Sequence, residues 1–141
     1  MPVQSFSLQL KTRGFNDTHD LTDKVQDFLE NSNIADGVVT VFVPGSTAGI
    51  TTIEYEPGVV EDLSRAIEKL APQDGNYKHN LRWGDGNGFS HVRAALMGPS
   101  LSVPFTNKQL CLGTWQQIIL IDFDNRARTR EVVVQVMGEA H

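Results

Sequence analysis

The sequence has a single cysteine, few basic residues and no long apolar run. Cys111 has no second cysteine to pair with, so the chain forms no internal disulfide and fits a reducing compartment. The alternation in "QLCLGTW" predicts a core position for Cys111 rather than a catalytic thiol. No signal-like segment is present and no apolar run approaches the roughly 20 residues that span a bilayer, so we expect a cytoplasmic protein with no membrane partner.

The shortage of basic residues excludes a further class of function. Twelve Lys and Arg against 17 Asp and Glu give a net charge of -5. Nucleic-acid-binding proteins neutralise phosphates with a basic surface, so we expect no nucleic-acid partner and, at most, local phosphate recognition. The length of 141 residues suits one domain spanning 1–141.

Periodicity predicts an α+β fold with a mainly antiparallel sheet and three helices. "VQSFSLQLKT" alternates like a strand with one buried face, and "GVVTVFV" is typical of a strand buried on both faces. Helices are predicted after a cap at Thr22, over "PGVVEDLSRAIEKLAP", and over "HVRAALM" between a cap at Ser90 and a stop at Gly98. The strands "LSVPF", "LCLGTWQQIILIDF" and "REVVVQVMG" follow with short turns, which predicts a meander.

The stretch "YKHNLRWGDGNGFSHVRAALMG" crowds polar groups and glycines before a helix. Its G-x-G-x-G spacing matches neither a dinucleotide fingerprint nor a calcium loop. It predicts a loop that brings Asp85 and Asn87 to the helix start at Ser90, where free backbone N–H groups favour an anion and His91 points into the same space. The alternative is that Ser90 only caps the helix and His91 lies on the surface.

Two histidines in this stretch are candidate metal ligands. His79 and His91, with Asp85 or Glu54, would form a divalent site with open positions if the loop folds back. Their spacing of twelve residues does not match a zincin helix, and two loop histidines often bind no metal.

Two further segments offer groups for anion binding. Ser46 and Thr47 follow a buried strand in "PGST" and either hold phosphate oxygens or simply form a turn. Arg126, Arg128 and Arg130 alternate, so they are predicted to project from one strand face. They are either a solvated charge row or a phosphate clamp, and the nearby acidic pair in "DFD" can compensate part of their charge.

The pieces "STAGITTIE", "YKHN", "DGNG", "SHVRAALMGPSLSVPF" and "LGTWQQIILIDFD" strongly resemble the YjbQ-like family, also called the secondary thiamine-phosphate synthase family. The resemblance implies an α+β fold and a homotrimer with a pocket at or near the subunit boundary. It also implies a secondary activity that joins a pyrimidine-methyl diphosphate to a thiazole phosphate and releases diphosphate. Many family members carry His where this chain has Gly45, which puts metal binding in doubt.

Two hypotheses of function follow. In the transferase hypothesis, anion clamps hold the leaving group, a divalent metal such as Mg²⁺ or Zn²⁺ sits between phosphates, and Trp115 faces the ring unless it packs in the core. The catalytic candidates are His79, His91, Asn87 and Glu54; the metal candidates are His79, His91 and Asp85; the substrate-binding candidates are Ser46, Thr47, Ser90, Trp115, Gln116, Arg128 and Arg130. In the rival hypothesis the chain is a trimeric protein that binds a small phosphorylated metabolite or a metal without turnover, and a metal-dependent hydrolase lies between the two.

Overall fold

The computed structural model describes residues 1–140 and, for Trp83, its place in a helix; His141, the last residue of the predicted domain, lies outside it. The strands in this range are β1 (Val3–Thr12), β2 (Asp17–Asp20), β3 (Asp36–Phe42), β4 (Ala48–Ile53), β5 (Ser100–Thr106), β6 (Gln109–Leu110), β7 (Gln117–Asp122) and β8 (Arg128–Glu139). The helices are α1 (Thr22–Asn31), α2 (Pro57–Leu70), α3 (Lys78–Trp83) and α4 (Gly88–Met97). The predicted α+β class is confirmed.

The strands form two antiparallel sheets, with the orders β1-β8-β3-β5-β6 and β2-β7-β4. Strand β7 belongs to both apolar clusters. Ile118 and Leu120 pack in the core between the sheets, whereas Ile119 and Ile121 pack against α2 and α4. The run "IILI" is therefore apolar throughout because β7 is the middle strand of the middle layer.

Burial on both faces was predicted for β3 and is wrong for the single chain. Val39 and Val41 are fully buried, but Val38 and Phe42 are each 39% exposed because the small sheet covers only one face of the large one. The uncovered face, here called the outer face, carries no charged side chain across three cross-strand rows. Its residues are Val3, Ser5, Ser7, Val38, Thr40, Phe42, Ser100, Ser102, Pro104, Val133, Gln135 and Met137.

The predicted meander is also wrong. β7 and β8 follow each other in the chain but lie in different sheets, and β8 pairs with β1 and β3 instead. The core position predicted for Cys111 is wrong as well: its amide donates to the Pro104 carbonyl at 2.9 Å, and its thiol is exposed like the Pro104 side chain on that face of β5.

The helices agree with the predictions except at their starts. Thr22 is the first residue of α1 rather than its cap, and Asp20 Oδ1 accepts hydrogen bonds from its amide (2.9 Å) and its hydroxyl (2.7 Å). α4 starts at Gly88, two residues before Ser90, and ends at Gly98 as predicted. The six-residue α3 was not predicted. No helix within residues 1–140 is long and apolar enough to cross a membrane.

Arg93 fastens α4 to its neighbours. The residue is 4% exposed, and its guanidinium donates to the Ala71 carbonyl (2.9 Å) and to Asn16 Oδ1 (2.9 Å) and pairs with Glu68 of α2. Phe89 lies under the same group at 4.9 Å. This clamp fixes how α4, and with it the first turn that carries His91, sits against the C-terminal end of α2.

Candidate functional site

Four segments meet at one end of the small sheet: the turn after β3, α3, the start of α4, and the beginning of β8. They enclose a cleft of about 370 Å³. We call it the histidine pocket; it is lined by Gly45, Ser46, Thr47, His79, Asp85, Asn87, His91, Arg128 and Arg130.

The two histidine rings lie against each other at a tilt in this pocket. His79 on α3 and His91 in the first turns of α4 have ring centroids 4.3 Å apart and an interplanar angle of 38°. Gly84 and Gly86, both at φ +69°, reverse the chain between them, which is the role the glycine spacing predicted. Burial lowers the pKa of His91, and the neighbouring His79 lowers it further, against the opposing effect of two nearby carboxylates.

A buried ion pair forms the floor of the pocket. Asp122 is fully buried and accepts from Arg130 Nε (2.7 Å), Arg130 Nη2 (2.9 Å) and the Thr12 hydroxyl (2.5 Å). Arg130 Nη2 also donates to Thr47 Oγ1 at 2.6 Å. This bidentate pair holds the guanidinium in one orientation.

Asp124 connects the walls of the pocket. It is fully buried and accepts from Asn87 Nδ2 (3.2 Å), Thr47 Oγ1 (3.0 Å) and Arg128 Nε (2.9 Å). Burial alone would raise the pKa of Asp124, but these bonds and one from the Asn125 amide outweigh it and lower the pKa to about 2. Asp124 is therefore a buried carboxylate whose hydrogen bonds position three residues that line the pocket, Asn87, Thr47 and Arg128.

Gly45 leaves one edge of the Arg130 guanidinium open. Within the described chain Nη1 of Arg130 has no hydrogen-bond partner, and a Cβ at position 45 would stand 3.2 Å from it. Gly45 has φ +127°, a conformation that side chains disfavour. The pocket thus presents the Arg130 guanidinium with Nε and Nη2 hydrogen-bonded within the chain and Nη1 open to a ligand.

The structure brings together most of the predicted site residues, namely Ser46, Thr47, His79, Asp85, Asn87, His91, Arg128 and Arg130. Ser90 is a correction: it is a buried residue inside α4, not the cap, and its hydroxyl donates to the Asn87 carbonyl at 2.6 Å. Arg126 is also a correction, because it lies exposed in the turn before β8 and not on the strand face of the other two arginines.

Three other predicted residues lie away from the pocket in the single chain. Glu54 is exposed and follows the C-terminal end of β4, whereas Thr47 precedes the N-terminal end of this strand. Trp115 is 72% exposed, so core packing is wrong for it. Gln116 donates to Thr52 Oγ1 at 3.2 Å and lines a different cleft, together with Cys111.

The central position of Asp124 was missed. Its spacing with Arg128 indicated charge compensation, which the ion pair at 2.8 Å confirms. Its bonds to Asn87 and Thr47 join residues 37 and 77 positions away, and no local pattern reports contacts at that range.

The predicted metal site stays a prediction. His79 Nδ1 lies 3.5 Å from Asp85 Oδ1, but within residues 1–140 no three His, Cys, Asp or Glu side chains are grouped so that they could hold one ion.

Comparison with known proteins places this chain in a family. The model described as "UPF0047 protein YjbQ-like" matches residues 6–139. A UPF0047 protein of Archaeoglobus fulgidus is 38% identical over 130 residues, covering 92% of this chain and 98% of the relative. A UPF0047 protein of Methanothermobacter thermautotrophicus is 37% identical over 139 residues, covering 99% of this chain and 95% of the relative.

Solved structures agree with this assignment. A crystal structure of a protein of unknown function from Sulfolobus solfataricus superimposes with a TM-score of 0.88 at 30% identity, covering 98% of this chain and 100% of that one. The crystal structure of an uncharacterised YjbQ/UPF0047 family protein from Clostridium acetobutylicum superimposes with a TM-score of 0.85 at 36% identity, covering 94% of this chain and 99% of that one. The chain therefore belongs to the YjbQ-like UPF0047 family, whose function is unknown.

Proposed function

We propose that the histidine pocket binds the phosphate group of a small metabolite and that His79 and His91 exchange protons with it. One observation carries the proposal. In the described part of the chain, the buried side-chain N and O atoms that lack a hydrogen-bond partner are Asn87 Oδ1 and His79 Nδ1, the latter with only the long 3.5 Å contact to Asp85 Oδ1, and both residues line this pocket. Buried polar atoms are normally paired, so two unpaired ones in one pocket indicate a polar ligand.

Arg130 and the two imidazoles are the groups that favour an anion in this pocket, against the Asp85 carboxylate that also lines it. Arg130 offers Nη1, and guanidinium groups bind phosphate oxygens with matched geometry. Asp122 and Asp124 already balance Arg128 and Arg130. Additional negative charge is therefore matched by protonating the two neighbouring imidazoles, which repel each other as cations unless an anion lies beside them.

The neutral state favoured at His91 suits general base catalysis. A lowered pKa leaves its ring lone pair available at neutral pH, so it can take a proton from a ligand hydroxyl or a bound water. This chemistry is compatible with turnover of a bound phosphate compound.

The finer proposal is the transferase that joins the pyrimidine-methyl diphosphate and the thiazole phosphate. Trp115, Gln116 and Glu54 would have to reach the pocket from a second copy of the proposed homotrimer, since they lie outside it in one chain. The pocket of a single chain by itself supports the simpler alternative, which is binding of a phosphorylated metabolite without turnover.

Calorimetric titration and product analysis test these proposals together. The purified protein is titrated with inorganic phosphate, the pyrimidine-methyl diphosphate and the thiazole phosphate, and is then incubated with both organic substrates and Mg²⁺. We expect phosphate binding that weakens at least tenfold in His91→Gln, and thiamine phosphate formation that this variant loses. His19→Gln is the control, because His19 pairs with Asp17 away from the pocket at 2.9 Å.

The outcomes separate the alternatives. Binding without thiamine phosphate excludes the transferase and supports the binding protein, whereas release of inorganic phosphate from either substrate indicates a hydrolase. Absence of binding by all three compounds at millimolar concentration would overturn the phosphate pocket itself.

A further inference from the structure

Asn87 lines the histidine pocket and carries a buried hydrogen-bond acceptor, which sets it apart from the exposed carboxylate of Asp85 in the same lining. Asn87 is 6% exposed, and its Nδ2 donates to Asp124 Oδ1 at 3.2 Å. Because a carboxylate only accepts hydrogen bonds, this contact fixes which end of the amide is nitrogen. The remaining group, Oδ1, has no partner in the described chain.

A fully ionised anion cannot satisfy this atom. The lone pairs of a sulfate oxygen would face the lone pairs of Asn87 Oδ1, and the buried acceptor would stay unpaired. Hydrogen phosphate has the same tetrahedral shape and, at pH 8, the same double negative charge, but it keeps one O–H. That hydrogen can be donated to Asn87 Oδ1 while the other oxygens accept from Arg130 Nη1 and its neighbours.

We propose that the pocket selects a phosphate group that keeps a proton and donates it to Asn87 Oδ1, an inference that rests on the phosphate-binding function proposed above. The ligand class is inorganic phosphate, or a phosphate ester in its singly ionised form. Sulfate and sulfate esters are excluded. Asn87 is then a specificity-determining residue, held in place by Asp124.

Competing anions of equal charge provide the test. The complete wild-type chain is titrated calorimetrically at pH 8 with phosphate, arsenate and sulfate, the first two of which carry a proton. We expect phosphate and arsenate to bind at least about tenfold more tightly than sulfate, because sites with a buried unpaired group reject the analogue that cannot pair with it.

Two variants locate the selectivity. Asn87→Leu removes the acceptor and keeps a similar side-chain volume. It should weaken phosphate binding, so that the affinities for phosphate and sulfate come to within about threefold of each other. Thr47→Val is the matched control: it removes another hydrogen bond to Asp124 (3.0 Å) and one from Arg130 (2.6 Å) but leaves the acceptor. Thr47→Val should weaken the binding of both phosphate and sulfate and preserve the ratio of the two affinities. Thermal unfolding verifies that each variant is folded.

The results distinguish this inference from the function on which it rests. Equal binding of phosphate and sulfate by the wild type overturns the selectivity and leaves the phosphate pocket standing. An unchanged ratio in folded Asn87→Leu assigns the selectivity elsewhere and overturns the role of Asn87. Failure of all three inorganic anions to bind overturns this inference, and the phosphate pocket itself is overturned only if the two organic phosphates also fail to bind.

Discussion

At the scale of single residues, Gly45 controls access to the Arg130 guanidinium. We expect Gly45→Ala to lower the free energy of unfolding by about 1–2 kcal/mol because φ +127° is strained for alanine. We also expect it to weaken phosphate binding, since the new Cβ would stand 3.2 Å from Arg130 Nη1. Chemical denaturation and calorimetric titration measure the two effects.

Gly98→Ala is the matched control for this substitution. Gly98 also has a positive φ, +92°, but a Cβ there meets no atom within 4 Å. It should reproduce the loss of stability without the loss of binding. If both variants bind phosphate as the wild type does, Gly45 does not open the pocket.

His91 gives stability a pH dependence of predictable sign. Burial and His79 lower its pKa in the folded chain, against Asp124 and Asp85, so the unfolded chain binds more protons at this ring below about pH 6.5. Above about pH 6.5 His91 is neutral in both the folded and the unfolded chain, and the protein has its full stability with respect to this group. As the pH falls below this value, the free energy of unfolding decreases, because the unfolded chain takes up the proton more readily. In urea denaturation from pH 7.5 to 5.5, wild type should lose stability relative to His91→Gln, and parallel curves would contradict this.

At the scale of elements, the Arg93 clamp decides how firmly α4 sits on α2. Arg93→Met should lower the free energy of unfolding by about 2 kcal/mol, because the Ala71 carbonyl loses its buried donor while Glu68, half exposed, returns to water. Denaturant unfolding measures this. Arg65→Met is the control, since its pair with Asp62 is exposed and should contribute less than about 1 kcal/mol. Equal losses would show that the clamp adds no stability.

Several elements could be predicted from local sequence and others could not. The periodicity of Val60, Leu63 and Ile67 identifies α2 because a helix with one buried face repeats its apolar residues every turn. The sheet to which β7 belongs depends on partners distant in the chain, so its short link to β8 suggested a hairpin that does not form. The six-residue α3 has too few turns to show a period.

At the scale of the whole molecule, the outer face is the best candidate surface for self-association. Its three rows carry no charge although the chain has a net charge of -5, so two copies can meet there without electrostatic repulsion. If the proposed homotrimer uses this face, Val38→Lys should shift the mass measured by light scattering from three chains toward one. Leu96→Lys adds the same charge at an exposed apolar residue of α4 and should leave the mass unchanged.

The sequence by itself determined the fold class, the family and most of the residues that line the pocket. His79, Asn87, His91 and Arg130 were identified because glycine spacing, residue type and strand alternation are local properties that folding preserves. Only the tertiary structure decided that Asp124 holds the pocket from behind and that Asn87 Oδ1 is left without a partner. Hydrogen-bond pairing in a buried network depends on groups that the fold brings together from distant segments, and a linear pattern carries no record of which of them remain unpaired.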